Sequence, residues 1–244
     1  MVRRAPGSVK NVYNEGFAKT VDFLLDERIK IVLAAIEEKH IQGRKFLDMG
    51  CGDGAMATMI GRRIGATRIS GFDIAGKAVR LAKGRGVEAV QMDIDESNLP
   101  FKNNFFDVIF CGNLIELVTN ADHLLEEMYR VLSPKGIAIV TFPNACAWGS
   151  RIAVPLGFLP FFSRVSTRYD LGKLGMPMKR GGSTGFIRLF SVQSFRVLVG
   201  LYQFKVESLY GVSTRFLPFP LTLIDSLLCR SPSLAFKVIA LLRK

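Results

Sequence analysis

The sequence predicts a doubly wound α/β fold on a mostly parallel sheet. Three observations carry the prediction. Strand-like runs at Lys45–Met49, Arg68–Phe72, Val87–Met92, Phe105–Cys111 and Gly136–Phe142 are separated by segments long enough for helices. The first run empties into a loop of alternating glycines. No repeat or low-complexity stretch divides the 244 residues, a length suited to one large domain. In such a sheet, ligands bind beyond the carboxyl ends of the strands.

The elements follow in order. Phe17, Val21, Leu24, Leu25, Ile29, Val32, Leu33 and Ile36 recur at helical spacing across Glu15–Ile41, and Gln42-Gly43 ends the pattern. Further helices are expected at Ala55–Ile64, Lys77–Lys83 and Ala121–Leu132. The alternation breaks at Pro143. From there to Phe190 the chain holds seven Gly, four Pro, seven basic residues and one acid without a sustained period, which reads as an irregular insertion. Ser191 is placed to cap a helix over Val192–Tyr202, and Phe204–Tyr210 alternates as a strand. Phe216–Leu228 is aromatic and broken by proline, and Ala235–Leu242 fits a strand or a short helix. The organisation expected is a single domain: an N-terminal helical segment (1–43), a ligand-binding core (44–142), a basic, apolar lid (143–190) and a C-terminal helix with strands (191–244).

Composition, 49% hydrophobic and 22% charged, excludes disorder and a coiled coil. The net charge of +12 is unevenly spread: residues 1–140 hold 19 basic and 18 acidic side chains, residues 141–244 hold 14 and 3. The second part also carries 15 of the 25 aromatics. The excess charge therefore speaks of whatever the second part approaches. Cys51, Cys111, Cys146 and Cys229 are widely spaced with no C-x-x-C pair, which suits a reducing cytoplasm and argues for no metal site. The N-terminus lacks the apolar core of a signal peptide. Ile152–Phe162 and Phe216–Leu228 are shorter than the ~20 residues of a spanning helix.

The loop K-F-L-D-M-G-C-G-D-G, Lys45–Gly54, is where chemistry is expected. Gly50-x-Gly52-x-x-Ala55 satisfies the dinucleotide fingerprint, and Asp73 lies where a ribose-binding acid belongs. Pyrophosphate on a helix N-terminus, however, wants no neighbouring anion, whereas Asp48 precedes this loop and Asp53 lies within it. Two carboxylates suit a ligand that is cationic at this end, such as S-adenosylmethionine with its sulfonium and ammonium groups. A carboxylate ~4 Å from such a charge gains roughly 1 to 4 kcal/mol. The structural alternatives are that Asp48 braces the loop and that Asp53 is a solvated helix-start residue. Asp73 is placed for both ribose hydroxyls or for a helix cap. Asp93-Ile94 after the third strand is placed for the amino group and face of an adenine, or for a turn.

Taken together, Asp48-x-Gly50-x-Gly52-x-Gly54, Asp73, Asp93-Ile94, Phe106-Asp107-Val108-Ile109 and Arg130-Val131-Leu132-Ser133-Pro134-Lys135-Gly136, in this order and spacing, resemble the class I S-adenosylmethionine-dependent methyltransferases, in the branch of ubiquinone- and menaquinone-type enzymes. The resemblance covers about residues 40–142. It implies a Rossmann-like, seven-stranded sheet with an antiparallel final strand and an insertion after strand five. It further implies that Asp48, Gly50, Cys51, Gly52 and Gly54 surround the methionine part of the cofactor, Asp73 and Ile74 the ribose, Asp93 and Ile94 the adenine, and Asn113 the floor after strand four. Tyr13 resembles an N-terminal aromatic that closes over the cofactor.

Two departures bear on catalysis. A Glu-His pair frequent after strand four is Glu116-Leu117 here, and a His frequent before the post-insertion helix is Phe186. His40 and His123 read as solvated surface. If a base is needed, Glu116 is nearest by position, with a cap or loop brace as its structural alternative; Tyr169 and Asp170 are outsiders. Cys111 reads as a small buried hydrophobe. For the acceptor, the mixture of cations with Leu, Ile, Pro and clustered Phe in the lid fits a small-molecule or lipid-linked anionic substrate and peripheral contact with an anionic membrane. RNA bound by cations and stacked aromatics is a second reading, and a merely solvated face a third. An RNA methyltransferase, an NAD-linked oxidoreductase and a cofactor-binding protein without catalysis are the rival functions. Acceptor, methylated atom and oligomeric state are not legible in the sequence.

Overall fold

A computed structural model describes residues 27–163, 172, 186–214 and 217–244. Tyr13, Tyr169 and Asp170 lie outside the described residues, as does most of the basic stretch of the expected lid. In chain order the elements are α1 (Glu27–Glu38), β1 (Lys45–Met49), α2 (Ala55–Arg63), β2 (Arg68–Asp73), α3 (Gly76–Gly84), β3 (Glu88–Gln91), β4 (Phe106–Gly112), α4 (Ala121–Val131), β5 (Leu132–Pro143), α5 (Trp148–Ala153) followed by a 3₁₀ turn (Val154–Leu156), α6 (Val192–Leu201), β6 (Lys205–Val212), α7 (Leu221–Leu228) and β7 (Lys237–Arg243).

The strands form one seven-stranded sheet in the order β3-β2-β1-β4-β5-β7-β6. β1 through β5 pair in parallel, and β7 runs antiparallel to both β5 and β6. The expected α/β class and antiparallel final strand are both found. Ala235–Leu242, for which a short helix fitted equally, supplies that strand, because slotting between β5 and β6 pairs its backbone on both sides.

Period-two alternation sends side chains to two cores. Leu47, Met49, Ile109, Cys111, Val140 and Phe142 face α4 and α6, where Leu124, Leu125, Phe195 and Val199 complete one buried cluster. Phe46, Val108, Phe110, Ile139 and Leu241 face the other way, toward Val32 and Ile36 of α1, Ile60 of α2 and Val79 of α3. Strands buried on both faces must be almost wholly apolar, and that is why the central runs stand out in the sequence.

Local chemistry fixes the boundaries. Ser191 and Ser194 exchange side-chain bonds with each other's backbone at the start of α6, a capping box. Arg130 donates to Leu99 O at 3.0 Å and Phe101 O at 2.7 Å while pairing with Glu127, so the Arg before β5 binds the loop ahead of β4. The insertion departs from expectation: its opening is ordered, forming α5 and the 3₁₀ turn after Ala147. Both segments are too short to show a helical period. Phe216–Leu228 likewise contains α7, which starts directly after Pro220, a residue tolerated at a helix start.

Candidate functional site

Parallel β1, β2, β3 and β4 deliver their carboxyl ends to one edge, where four connections carry the acids singled out above. Gly50, Gly52 and Gly54 turn the chain from β1 into α2 with φ of +74°, +53° and +79°, a left-handed region that other residues enter at a cost. Gly54 has a second reason to be glycine: a Cβ there would sit 2.9 Å from Ala82 Cα of α3. Cys51 N donates to Phe72 O at 2.8 Å, stitching the loop to β2. The turn then aims Gly52 N–H at Asp73, whose Oδ2 accepts it at 2.9 Å, while Oδ1 accepts Ala75 N–H at 2.9 Å. Asp73 thus holds the loop and opens the β2–α3 turn together. Ile74 N–H adds to these donors, and the four lone-pair sites of the carboxylate still leave acceptor capacity for a diol hydroxyl. Burial raises its pKa against the pull of those N–H donors.

Asp48 is the acid that lacks any such support. It is 2% exposed and its Oδ2 has no hydrogen-bond partner among the described residues. Burial, and then the charge of Asp73, push its carboxyl up to about 8, opposed by the Arg28 guanidinium in the first turn of α1. A buried carboxylate in this state needs a proton or a cation. Asp53, by contrast, ion-pairs with Arg85 at 2.8 Å and accepts Ala55 N–H at 3.1 Å. Its helix-start role is the one adopted, because Arg85 just past α3 is within reach.

Glu116, in the loop after β4, is fully buried, and both its carboxylate oxygens are without a partner among the described residues. Burial pushes its pKa up to about 8; its own backbone N–H, Arg28 and Lys237 act in the opposite sense. Its side chain is therefore no cap. Its carbonyl does brace a loop, accepting Ile187 N–H at 2.8 Å and Arg188 N–H at 3.1 Å, which ties the β4 loop to the end of the insertion. Cys111 is buried between these acids: burial, then Glu116, then Asp48 raise its thiol pKa, so it stays a protonated hydrophobe.

The remaining candidates divide. Asn113 has φ +53°, and its Oδ1 accepts the Thr141 hydroxyl at 2.8 Å, closing the floor between β4 and β5. Half-buried Ile74 accepts Gln91 Nε2 through its carbonyl. Asp93 accepts Asp95 N–H at 3.1 Å in a turn. Ile94 is 4% exposed among core side chains, which leaves little of it to meet an adenine. His40 is exposed after α1, and His123 lies on α4 near Ser97 O at 3.4 Å. Phe186 packs edge-on against Phe162. Arg28, the cation acting on both orphaned acids, escaped the sequence reading; a charge beside the apolar stripe of α1 was its only signal. Among the described residues, no group of three His, Cys, Asp or Glu side chains could hold a metal ion.

This sheet order, glycine loop and acid at the end of β2 suit a nucleoside-containing ligand, and the buried Asp48 adds a carboxyl that a dinucleotide fingerprint does not call for. Residues 47–140 match the methyltransferase-domain family. The chain is 34% identical over 110 residues to 2-phytyl-1,4-naphtoquinone methyltransferase of a Nostoc species, covering 40% of this chain and 46% of that protein. It is 30% identical over 137 residues to the mitochondrial arginine-hydroxylase NDUFAF5 of Homo sapiens, covering 52% and 39%. The chain thus spans about half the length of the curated relatives it matches. A crystal structure of an S-adenosylmethionine-dependent methyltransferase from Mesorhizobium loti superposes with a TM-score of 0.57 at 14% identity, over 88% of this chain and 96% of that one. Residues 47–140 thus carry a methyltransferase domain, in a chain whose fold is that of S-adenosylmethionine-dependent methyltransferases.

The residues present fit that cofactor. The orphaned Oδ2 of Asp48 answers to a cation, the remaining acceptor capacity of Asp73 to a diol hydroxyl, and the left-handed glycines to a close-lying ligand.

Proposed function

We propose that this chain transfers a methyl group to a small-molecule or lipid-linked, anionic acceptor. The observation that supports it is a pair of buried carboxyls at the carboxyl edge of the sheet, both acting on the Cys111 thiol: among the described residues Asp48 Oδ2 and both oxygens of Glu116 lack a hydrogen-bond partner. S-adenosylmethionine, when bound, supplies an electrophilic methyl group on a sulfonium. Asp48 opposes the positive end of the cofactor, and Asp73 orients its ribose. Glu116 is the proton acceptor: a carboxyl with a pKa near 8 takes a proton from an ionisable hydroxyl far better at neutral pH than an ordinary one would. Alignment supplies much of the remaining acceleration, and the glycine loop fixes that alignment.

The acceptor follows from the second part of the chain. Its 14 basic and 3 acidic residues lie among most of the aromatics, a composition suited to an anionic head and an apolar tail. The quinone methyltransferase among the relatives agrees with this class. We place the chain at the cytoplasmic face of a membrane; no helix among the described residues is long and apolar enough to cross one. Incubation with methyl-labelled cofactor and a series of demethylated quinones, with and without the polyprenyl tail, tests this. Label is expected in the tailed, ionisable acceptors and reduced at least tenfold by Glu116→Gln. Label entering RNA instead, or no acceptor at all, overturns the reading.

A further inference from the structure

We propose that α5 with its 3₁₀ turn, together with α7, forms one surface that docks on an anionic lipid bilayer. This rests on the lipid-linked acceptor for its purpose, but its geometry is independent of the cofactor site. The two elements are clasped together: Trp148 Nε1 of α5 donates to Asp225 Oδ1 of α7 at 2.8 Å, and Trp148 N donates to Leu234 O at 2.9 Å. Asp225 is fully buried, and its other oxygen accepts Thr214 N–H at 2.6 Å. The inner faces are thereby fixed as Gly149, Ser150 and Ala153 on α5 and Asp225 on α7, with Cys229 just after it.

The outer faces are apolar and bare. Ile152, Val154 and Leu156 on one element, and Phe219, Leu223 and Leu227 on or just before the other, are 50 to 79% exposed. Single exposed apolar residues are ordinary, but six of them on or beside two elements joined by the Trp148–Asp225 hydrogen bond mark a contact surface. Its flanks are cationic: Arg151 on α5 and Arg230 just past α7 are both exposed. The one acid between residues 208 and 244, Asp225, is turned inward. Leu, Ile and Phe with an Arg rim, and no outward carboxylate on these two elements among the described residues, match the acyl and headgroup boundary of an anionic bilayer.

Topology puts this surface where an acceptor would enter. α5 follows Pro143 at the end of β5, and α7 follows Val212 at the end of β6; both positions pair with Lys237 at the start of β7. Because β5 is parallel to β4 and β4 to β1, this is the edge that carries the glycine loop and Glu116. A bilayer docked here lies on the acceptor side of the sheet.

Vesicle flotation of the full chain tests it, with phosphatidylcholine alone and with about one third phosphatidylglycerol. The chain is expected to float with the anionic vesicles, and Leu223→Glu with Leu227→Glu to lower the bound fraction about tenfold while S-adenosylhomocysteine affinity and melting temperature hold. No flotation of the parent chain overturns the proposal, and intact cofactor affinity in that case leaves the methyltransferase reading standing. Undiminished flotation of the double variant overturns the assignment to this surface. A dimer in solution that the double variant separates also overturns it, in favour of a second copy.

Discussion

Gly52 N–H donates to Asp73 Oδ2 at 2.9 Å, so the second glycine of the loop and the acid that ends β2 form one unit. The shape of the loop is tied to the Asp73 carboxylate, which we assign to the ribose. Asp73→Asn should therefore damage both the diol contact and the loop. Hydrogen bonds to charged groups are worth about 1.5 to 3 kcal/mol each, so S-adenosylhomocysteine affinity should fall at least tenfold by calorimetry. An unchanged affinity would remove the ribose assignment.

Asp48 and Glu116 make stability depend on pH in an unusual sense. Their carboxyls sit near 8 in the fold against ordinary values of 3.8 and 4.5. Between those limits the folded chain binds more protons than the unfolded one, so stability is fully present below about pH 4 and is lost as pH rises toward 8. The slope is at most about 1.4 kcal/mol per pH unit for each group. Glu116→Gln should melt above the parent at pH 8 and about level with it at pH 5 in thermal scans. The same variant should flatten the rise of kcat/KM with pH that a basic Glu116 imposes.

Gly54→Ala tests the loop's backbone. Its φ of +79° and the 2.9 Å approach to Ala82 Cα combine a left-handed cost of about 1 to 2 kcal/mol with a clash against helix backbone. Denaturant unfolding should show a loss of roughly 2 kcal/mol or more. A neutral result would mean that loop and α3 are not packed as described.

The clasp between α5 and α7 should also be measurable. Asp225→Asn removes the acceptor of either Thr214 N–H or Trp148 Nε1–H in a buried place, at a cost of roughly 1 to 3 kcal/mol in thermal unfolding. Trp148→Phe keeps the ring packing against Phe236 and should cost less than Trp148→Ala.

Legibility in the sequence tracked how much each feature depends on local pattern. β1 and α2 announced themselves through an apolar run and a glycine loop, and β7 was ambiguous because a short apolar run, Val238–Leu242, has no readable period until it finds partners. α5 was invisible for a different reason: six residues span fewer than two turns. At the site, the places of Asp48 and Asp73 at the carboxyl ends of β1 and β2 were legible because the strands themselves were. The fate of Asp53 was not, since it depended on Arg85 folding back from 32 residues away. The isolation of Glu116 was equally hidden, for burial without a partner is a property of packing. Arg28 needed the fold to bring α1 near the carboxyls of Asp48 and Glu116.

The central claim is that the orphaned carboxyl of Asp48, beside the glycine loop, receives a cationic cofactor. Calorimetric titration of the intact chain with S-adenosylmethionine, repeated at pH 6 and pH 8 in buffers of different ionisation enthalpy, tests it most directly. The account predicts binding that tightens as pH rises, by up to about tenfold per unit, with a proton released from Asp48. Failure to bind S-adenosylmethionine or S-adenosylhomocysteine, with NAD bound instead, would contradict it.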